Sequence, residues 1–299
     1  MSQVDIKRVW KYTTESFLSA TPVDLKSGEN KVAEYSDFEP NIICIQGLSF
    51  NRVDGLVFHA DVDGYTDVVR LDNLAAARGL DNEENIKVPS VKRFTMKIFA
   101  PSAQTGYQWR HRVTVFRPTV AMKLQLGVKL TGTEPELAEK YGLVQTLRTV
   151  TPEPFNLYAG IEEYRTVAVK MTSSGNILRL PVPKDKKIIL TGISVARPTS
   201  AASAYLVVNR DGIDNTLNLD LYCLPDLSYE APLRIIALDK LEINLDVRVS
   251  GSYYVRVSYG IGRLTLREKV MWIPSDLTPS ERREAEEKDL FDKVAAGVS

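Results

Sequence analysis

The second half of the chain repeats the first half, and this duplication constrains the fold more than any other feature of the sequence. Residues 86–98 align without a gap on residues 233–245, 147 positions later. Three further groups of matches have similar separations: Ile43, Gly47, Ser49 and Arg52 with Ile188, Gly192, Ser194 and Arg197; Asp63-Gly64 and Leu71-Asp72 with Asp211-Gly212 and Leu219-Asp220; Val113, Val115, Met122 and Leu124 with Val255, Val257, Leu264 and Leu266. Loop insertions between fixed strands produce such small changes in separation, so the sequence predicts one domain present twice.

The repeat predicts how the 299 residues are divided. Residues 1–24 have no counterpart in the second copy and are interpreted as an N-terminal arm. The first domain is assigned to 25–145 and the second to 162–299. Residues 146–161 between them contain two prolines, which fix φ and disfavour helix in the preceding residue, so a semi-rigid linker is expected.

Both copies have the hydrophobic pattern of β-strands. Residues 241–249 and 122–130 alternate apolar and polar side chains, as strands with one buried face do. Similar patterns give about eight short strands per copy, which predicts an all-β protein of two tandem antiparallel β-sandwiches. A jelly roll and an immunoglobulin-like Greek key both fit this strand count.

Each copy is expected to end in a short helix. Residues 133–141 follow the last predicted strand of the first copy. In the second copy, Thr278 and Glu281 form a capping-box pattern around Pro279, which predicts a helix that continues to Val294.

Composition narrows the class of partner and the compartment. Lys plus Arg and Asp plus Glu both number 38, so the chain lacks the basic excess expected of a nucleic-acid-binding domain, and a neutral surface favours assembly. The two cysteines, Cys44 and Cys223, are too few for a disulfide framework. With no signal-peptide pattern and no apolar run of about 20 residues, the chain is expected to fold in a cytoplasm.

The carboxylates of Asp61, Asp63 and Asp67 surround Gly64 in a pattern that resembles part of a calcium loop. The third spaced ligand and the distal glutamate of such loops are missing. Asp-Gly between two strands is also a strong hairpin signal, because both residues tolerate positive φ. The hairpin interpretation is preferred, and no metal is assigned.

No catalytic or cofactor-binding motif stands out. The two histidines, His59 and His111, have no counterparts in the second copy and too few ligand neighbours for a zinc site. The nucleophile elbow, the P-loop, the dinucleotide fingerprint and the zinc-protease helix are all missing. The chain is therefore expected to be neither an enzyme nor a cofactor-binding protein.

Two clusters combine aromatic and basic residues. The first resembles single-strand nucleic-acid or sugar surfaces and is a possible ligand surface, formed by Tyr107, Trp109, Arg110 and Arg112. A strand with two ordinary faces is the preferred interpretation. The second lies in the arm and is interpreted as an assembly contact with a membrane or a neighbouring subunit. It consists of Lys7, Arg8, Trp10, Lys11 and Tyr12.

Tandem sandwiches, a stiff linker, tail helices and an N-terminal arm without a catalytic set resemble the double jelly-roll major capsid proteins of icosahedral viruses. The resemblance spans residues 25–294 and is architectural. It implies a virion structural protein, assembled in the host cytoplasm, that forms a homotrimer of six similar domains. It also implies contacts with other virion proteins and, through the arm, with an internal membrane.

Two other functions remain open. Tandem sandwiches also occur as binding modules of phage tails, baseplates or carbohydrate-recognising proteins. A hydrolase whose paired carboxylates cannot be recognised from sequence ranks behind both.

Overall fold

A computed structural model of the protein describes residues 14–36, 40–73, 84–143, 160–196, 204–224 and 231–298. In this part of the chain the structure is mostly antiparallel β-sheet with short helices, which confirms the predicted fold class.

The first copy contains ten strands among the described residues. They are β1 (Thr14–Ala20), β2 (Val23–Leu25), β3 (Gly28–Ser36), β4 (Ile42–Phe50), β5 (Val57–Val62), β6 (Tyr65–Asp72), β7 (Glu84–Ser90), β8 (Arg93–Ala100), β9 (Gln104–Tyr107) and β10 (Trp109–Phe116). Eight of them form two layers, with the orders β1-β10-β4-β7 and β3-β8-β5-β6, while β2 and β9 pair separately.

The second copy contains eight strands among the described residues. They are β11 (Glu163–Met171), β12 (Gly175–Pro181), β13 (Lys186–Ala196), β14 (Ala204–Arg210), β15 (Ile213–Asp220), β16 (Ala231–Ala237), β17 (Lys240–Val247) and β18 (Tyr253–Arg263). Their orders are β11-β18-β13-β16 and β12-β17-β14-β15.

The two copies have the same topology. With the β2–β9 ribbon set aside and the remaining strands of each copy numbered one to eight, both copies have one sheet in the order 1-8-3-6 and one in the order 2-7-4-5. In an immunoglobulin-like sandwich the first two strands share a sheet, whereas here they lie in different sheets. Two facing four-stranded sheets joined in this way form a jelly roll.

The structure corrects the predicted extent of the arm. Residues 14–20 form β1, the first strand of the first jelly roll, and residues 23–25 form β2. β1 pairs with β10 as β11 pairs with β18, so this segment does have a counterpart in the second copy. Sequence comparison missed it because β1 and β11 share little sequence beyond their equivalent pairing.

The sheets that contain β4 and β13 are covered on both faces. Every residue of β4 is buried, and so are the nine central residues of β13. One face packs against the other four-stranded sheet of the same copy and the other lies beneath helices, which explains the continuous apolar runs at 42–45 and 188–190.

Five α-helices lie in the described part of the chain. They are α1 (Val120–Gln125), α2 (Glu134–Lys140), α3 (Leu266–Trp272), α4 (Pro279–Glu287) and α5 (Leu290–Ala296). The predicted capping box of Thr278 and Glu281 is present, and α3 begins with a second one formed by Thr265 and Glu268. Among the described residues no helix has the length and apolarity needed to cross a membrane.

Two sequence predictions about the helical regions were wrong. Residues 122–130, predicted as a strand, contain most of α1. Met122 of this helix and Leu126, which follows its last residue, pack on Ile42 and Phe116. An alternating pattern also places apolar residues four apart, so it does not exclude a helix. The single helix predicted from residue 278 to 294 is interrupted near Asp289, which has a left-handed backbone conformation.

Candidate functional site

The two jelly rolls are joined edge to edge at β1. This strand pairs with β10 along its full length, and its other edge meets β16, with Ser16 opposite Arg234. The β1-β10-β4-β7 sheet of the first copy and the β11-β18-β13-β16 sheet of the second thereby become one sheet of eight strands, β11-β18-β13-β16-β1-β10-β4-β7. Phe17 beside this junction is 1% exposed and Leu233 is 0% exposed, so the core continues from one copy into the next.

The two ends of this sheet expose a first strand and a sixth strand, the same two strands that meet at the junction. At one end lies β11, the first strand of the second jelly roll, and at the other lies β7, the sixth strand of the first. Within the described residues neither strand has a partner on its outer edge. The junction joins the sixth strand of the second copy, β16, to the first strand of the first copy, β1. The other sixth strand, β7, and the other first strand, β11, remain at the two ends of the sheet. These edges form the candidate assembly site.

The helices of the two copies contact one another on the outer face of the large sheet. Lys140 of α2 lies 2.7 Å from Asp292 of α5, and Tyr141 donates a hydrogen bond to Asp289. The pKa of Lys140 is raised because Asp292 and Asp289 accept hydrogen bonds from its ammonium group. The two jelly rolls are thus joined by a sheet and by helices, which fixes the direction in which the free edges point.

A buried ion pair attaches α3 to the sheet beneath it. The side chain of Lys187 on β13 is 1% exposed, bonds to Glu268 of α3, and lies 5.6 Å from the ring centre of Trp272. Glu268 also accepts a hydrogen bond from the amide of Thr265 at 3.0 Å, which completes the capping box. Sequence reasoning did not identify this pair, because its members are 81 positions apart.

The candidate ligand surface at residues 107–112 is not a surface. Tyr107, Trp109 and Arg110 are all buried, and Arg112 is half-buried. Tyr107 ends β9, and the other three residues belong to β10, where burial of both Trp109 and Arg110 shows that both faces of the strand are covered at its start. The possible ligand surface is therefore ruled out. Strand alternation alone does not show whether the outer face of a strand is open or covered.

His111 belongs to the core of the first jelly roll. Its ring stacks on Trp109 with centroids 4.7 Å apart, and its Nε2 lies 2.5 Å from the Tyr35 hydroxyl. Burial lowers the pKa of His111 to about 3, so the ring is neutral near pH 7. His111 is thus a packed core residue.

The loop around Asp63 is a hairpin stabilised by its own carboxylate. Asp63 and Gly64 have φ angles of 52° and 94°, the left-handed conformation that the Asp-Gly pair predicts. The Asp63 carboxylate accepts hydrogen bonds from the Ser90 hydroxyl and from the amides of residues 91–93, at 2.7 to 3.0 Å. It therefore connects the β5–β6 hairpin to the turn between β7 and β8.

Asp211 has the same function in the second copy. Its φ is 47°, and its Oδ1 accepts from the amides of residues 238–240 at 2.7 to 3.1 Å. These amides are the repeat counterparts of residues 91–93. Sequence reasoning found the matched Asp-Gly pairs but missed their contact with the turns at residues 91–93 and 238–240. The sequence signal for this contact is that the aspartate and the turn recur together in both copies.

The other two aspartates of the loop also have protein partners. Asp61 lies 2.7 Å from the ammonium group of Lys97, and Asp67 lies 2.9 Å from Nδ1 of His59. Burial raises the pKa of Asp61, but hydrogen bonds from Lys97 and from the Asp67 amide outweigh this effect, and the net pKa is lowered. In the described part of the chain no group of three or more His, Cys, Asp or Glu residues is placed to hold a metal ion.

The predicted assembly arm, with its cluster of Lys7, Arg8, Trp10, Lys11 and Tyr12, lies outside the described residues. Most of the predicted linker, residues 146–161, lies outside them as well. The roles assigned to both segments therefore stay predictions.

Comparison with known proteins gives distant overlays only. No protein-family model matches the chain, and no curated protein matches its sequence. The chain overlays on the CUB1-EGF-CUB2 domain of human MASP-1/3 with a TM-score of 0.26 and 10% identity, over 84% of this chain and 100% of that one. It overlays on the tandem CBM51 modules of a family 98 glycoside hydrolase from Streptococcus pneumoniae with a TM-score of 0.24 and 9% identity, over 80% and 83% of the two chains.

A third overlay is with T=1 particles derived from infectious bursal virus. Its TM-score is 0.23 and its identity 9%, over 83% of this chain and 68% of that one. The overlaid structures thus include proteins of virus particles. At these scores the overlays assign neither a family nor a function.

Proposed function

We propose that this chain is a virion structural protein, a capsid protein that assembles through lateral contacts of its two jelly-roll domains. The observation that carries this proposal is the edge-to-edge fusion of two domains with the same topology into one eight-stranded sheet. A chain built in this way presents one sixth-strand edge and one first-strand edge at opposite ends. Such head-to-tail interfaces generate closed rings where the rotation between copies closes.

The nature of the repeated positions supports a framework function. Ile43 and Ile188 are buried core residues, and Asp63 and Asp211 connect the same pair of turns in each copy. Duplication has therefore preserved packing and turn geometry. An enzyme would require a catalytic set in at least one copy, and we assign none.

The proposal includes the partners and the location. The chain assembles with itself, as a homotrimer that presents six jelly rolls, and with other virion proteins. Its arm residues contact neighbouring subunits or an internal membrane. Assembly takes place in the host cytoplasm, the product is part of the virion, and neither a cofactor nor a specific nucleic acid takes part.

The alternative function, a tandem binding module of a tail, baseplate or carbohydrate-recognising protein, lacks a specific observation in its favour. The aromatic side chains that it required, Tyr107 and Trp109, are buried in the first jelly roll.

The proposal is tested by the oligomeric state of the purified full chain. Mass photometry from nanomolar to high micromolar concentration, with negative-stain microscopy, is expected to show a trimer of 33.5 kDa chains and larger shells or sheets. A chain that begins at residue 14 keeps every described strand, so it is expected to fold but to assemble less completely. A full chain that stays monomeric at every concentration and salt condition overturns the proposal. A glycan array then tests the binding-module alternative.

A further inference from the structure

The junction within the chain defines a pairing that the free edges can repeat. β16 and β1, which meet at the junction, are a sixth and a first strand, and β7 and β11 are the other sixth and first strands. The residues at each free edge can therefore be matched to those at the junction.

The counterpart of Ser16 is Ala168. Ser16 lies opposite Thr114 of β10, and Ala168 lies opposite Arg256, the corresponding position of β18. The counterpart of Arg234 is Lys87, because both lie in the ungapped repeat 147 positions apart. Since Ser16 faces Arg234 at the junction, the equivalent pair is Ala168 and Lys87.

We propose that β11 of one molecule adds antiparallel to β7 of a second copy, with Ala168 opposite Lys87. This inference rests on the proposed function and identifies its interface. The contact is heterologous, so each molecule uses β11 towards one neighbour and β7 towards the other. Three such contacts close the trimer.

The apolar residues at the two edges fit this register. With Ala168 opposite Lys87, Val167 lies opposite Val88 and Val169 lies opposite Ile86. Val88, Val167 and Val169 are partly buried residues at the rim of the core. Because side chains alternate along a strand, a slip of one residue would destroy this match.

The corresponding residues at the junction show that strand pairing increases the burial of these side chains. Phe17, the counterpart of Val169, is 1% exposed, and Ile235, the counterpart of Val88, is 0% exposed. Pairing of β11 with β7 would complete the burial of these rims in the same way. The driving force is apolar area removed from water, together with backbone hydrogen bonds along the edge.

Both sixth strands carry a proline near the pairing position. Pro232 precedes Arg234 by two residues, and Pro89 follows Lys87 by two. Proline lacks an N–H group and shortens the ladder that an edge can form. The β1–β16 ladder is short, with one paired position, and it forms although Pro232 lies two residues from Arg234. Pro89, two residues from Lys87, is therefore compatible with the same pairing at β7.

Disulfide trapping tests the register. The Lys87→Cys and Ala168→Cys proteins are prepared separately, mixed and oxidised, and a covalent dimer is expected only in the mixture. Directly opposite residues in an antiparallel pair have Cα atoms about 4.5–5.5 Å apart, within the reach of a disulfide. Mixing Asn85→Cys with Ala168→Cys is the matched control, since diagonal positions about 7–8 Å apart do not crosslink.

The intrachain junction supplies the positive control, because Ser16→Cys with Arg234→Cys in one molecule should give a link within a monomer. The native cysteines, Cys44 and Cys223, are free and buried, so they should contribute few crosslinks of their own.

A second pair of variants tests assembly without a crosslink. Val167→Lys places a charge on β11, where β7 of the neighbouring molecule would pack. Natural edge strands use such charges to avoid pairing. Leu180→Lys is the control, because Leu180 is also a partly buried rim residue on an edge strand, β12, that the proposal leaves unpaired. Val167→Lys is expected to weaken self-association at least tenfold, and Leu180→Lys to leave it within twofold.

The outcomes separate the two proposals. A wild-type chain that assembles, without crosslinking at 87 and 168 and with no effect of Val167→Lys, overturns the strand pairing and leaves the capsid function standing. A wild-type chain that stays monomeric and gives no crosslink overturns both.

Discussion

Replacing Asp63 with asparagine tests whether its carboxylate stabilises the first jelly roll. Asparagine keeps the size of the side chain and tolerates the left-handed backbone at this position, so backbone strain does not enter the comparison. In the wild type, Oδ1 accepts from Ser90 and from the amides of Lys92 and Arg93, and Oδ2 accepts from the amide of Val91. In the variant one of these oxygens becomes an amide group that donates.

The expected loss follows from these contacts. The Oδ2 position would present an N–H group to the Val91 amide, which leaves a partly buried donor unpaired, and the remaining bonds would lose the assistance of the charge. Bonds to a charged group contribute about 1.5–3 kcal/mol each, and an unpaired buried donor costs about 1–3 kcal/mol. A total near 2–3 kcal/mol is expected. At about 2–4 °C per kcal/mol for a protein of this size, Tm should fall by about 4–12 °C.

Thermal and urea unfolding of wild type and variant at pH 7 measure this loss, and two further variants act as controls. Asp211→Asn should give a smaller loss, because the three equivalent amides of the second copy all donate to Oδ1 of Asp211 and none would be left unpaired. Asp67→Asn should cost less than about 1 kcal/mol, because the Asp67 side chain is half exposed and its side-chain partner is the single ring nitrogen Nδ1 of His59. Equal effects of Asp63→Asn and Asp67→Asn would refute the reasoning.

The pH dependence provides an independent check. Burial raises the pKa of Asp63, but hydrogen bonds from the Arg93 and Val91 amides and from Ser90 outweigh it, and the net pKa is lowered. A lowered folded-state pKa gives stability that is present above the unfolded value of about 3.9 and is lost as pH falls through the folded value. The difference between wild type and Asp63→Asn should therefore be constant from pH 7 to about pH 5 and shrink below pH 4.

Two further predictions concern buried titratable groups. Folded His111 stays neutral down to a pKa of about 3 while the unfolded chain binds a proton near 6.5, so wild-type stability should fall with decreasing pH in this window, by up to about 1.4 kcal/mol per unit. Urea unfolding at several pH values measures this effect. Between pH 7 and 5 the unfolding free energy of His111→Phe should change less than that of the wild type, and equal changes would contradict the burial of a neutral His111. Glu268→Gln keeps the capping-box acceptor but leaves the Lys187 ammonium without its carboxylate, which should cost about 3–5 kcal/mol, whereas Glu163→Gln in the exposed pair with Arg165 should change unfolding by less than about 0.5 kcal/mol. Equal effects would show that the pair does not stabilise α3.

The predictions that succeeded depended on local patterns. Strand alternation at 241–249 and the apolar runs at 42–45 and 188–190 identified strands, because side-chain direction repeats every two residues. The Asp-Gly pairs identified hairpins, because few residues adopt positive φ. The capping box at Thr278 identified the start of α4 from three neighbouring residues.

The predictions that failed depended on position in the sheet. Tyr107 at the end of β9 and Trp109 at the start of β10 have the pattern of a half-exposed strand, but tertiary packing buries both side chains. Residues 14–20 show no clear pattern, and their place is set by the two neighbouring strands. The separation of Lys187 from Glu268 likewise conceals their contact.

The sequence by itself determined that one β-domain occurs twice, because the period of buried residues and the turn chemistry are written into adjacent positions. Only the tertiary structure decided that both copies are jelly rolls, that β1 fuses them into one sheet, and that β11 and β7 remain at its ends. Pairing between strands far apart in the chain depends on long-range contacts that no local pattern specifies.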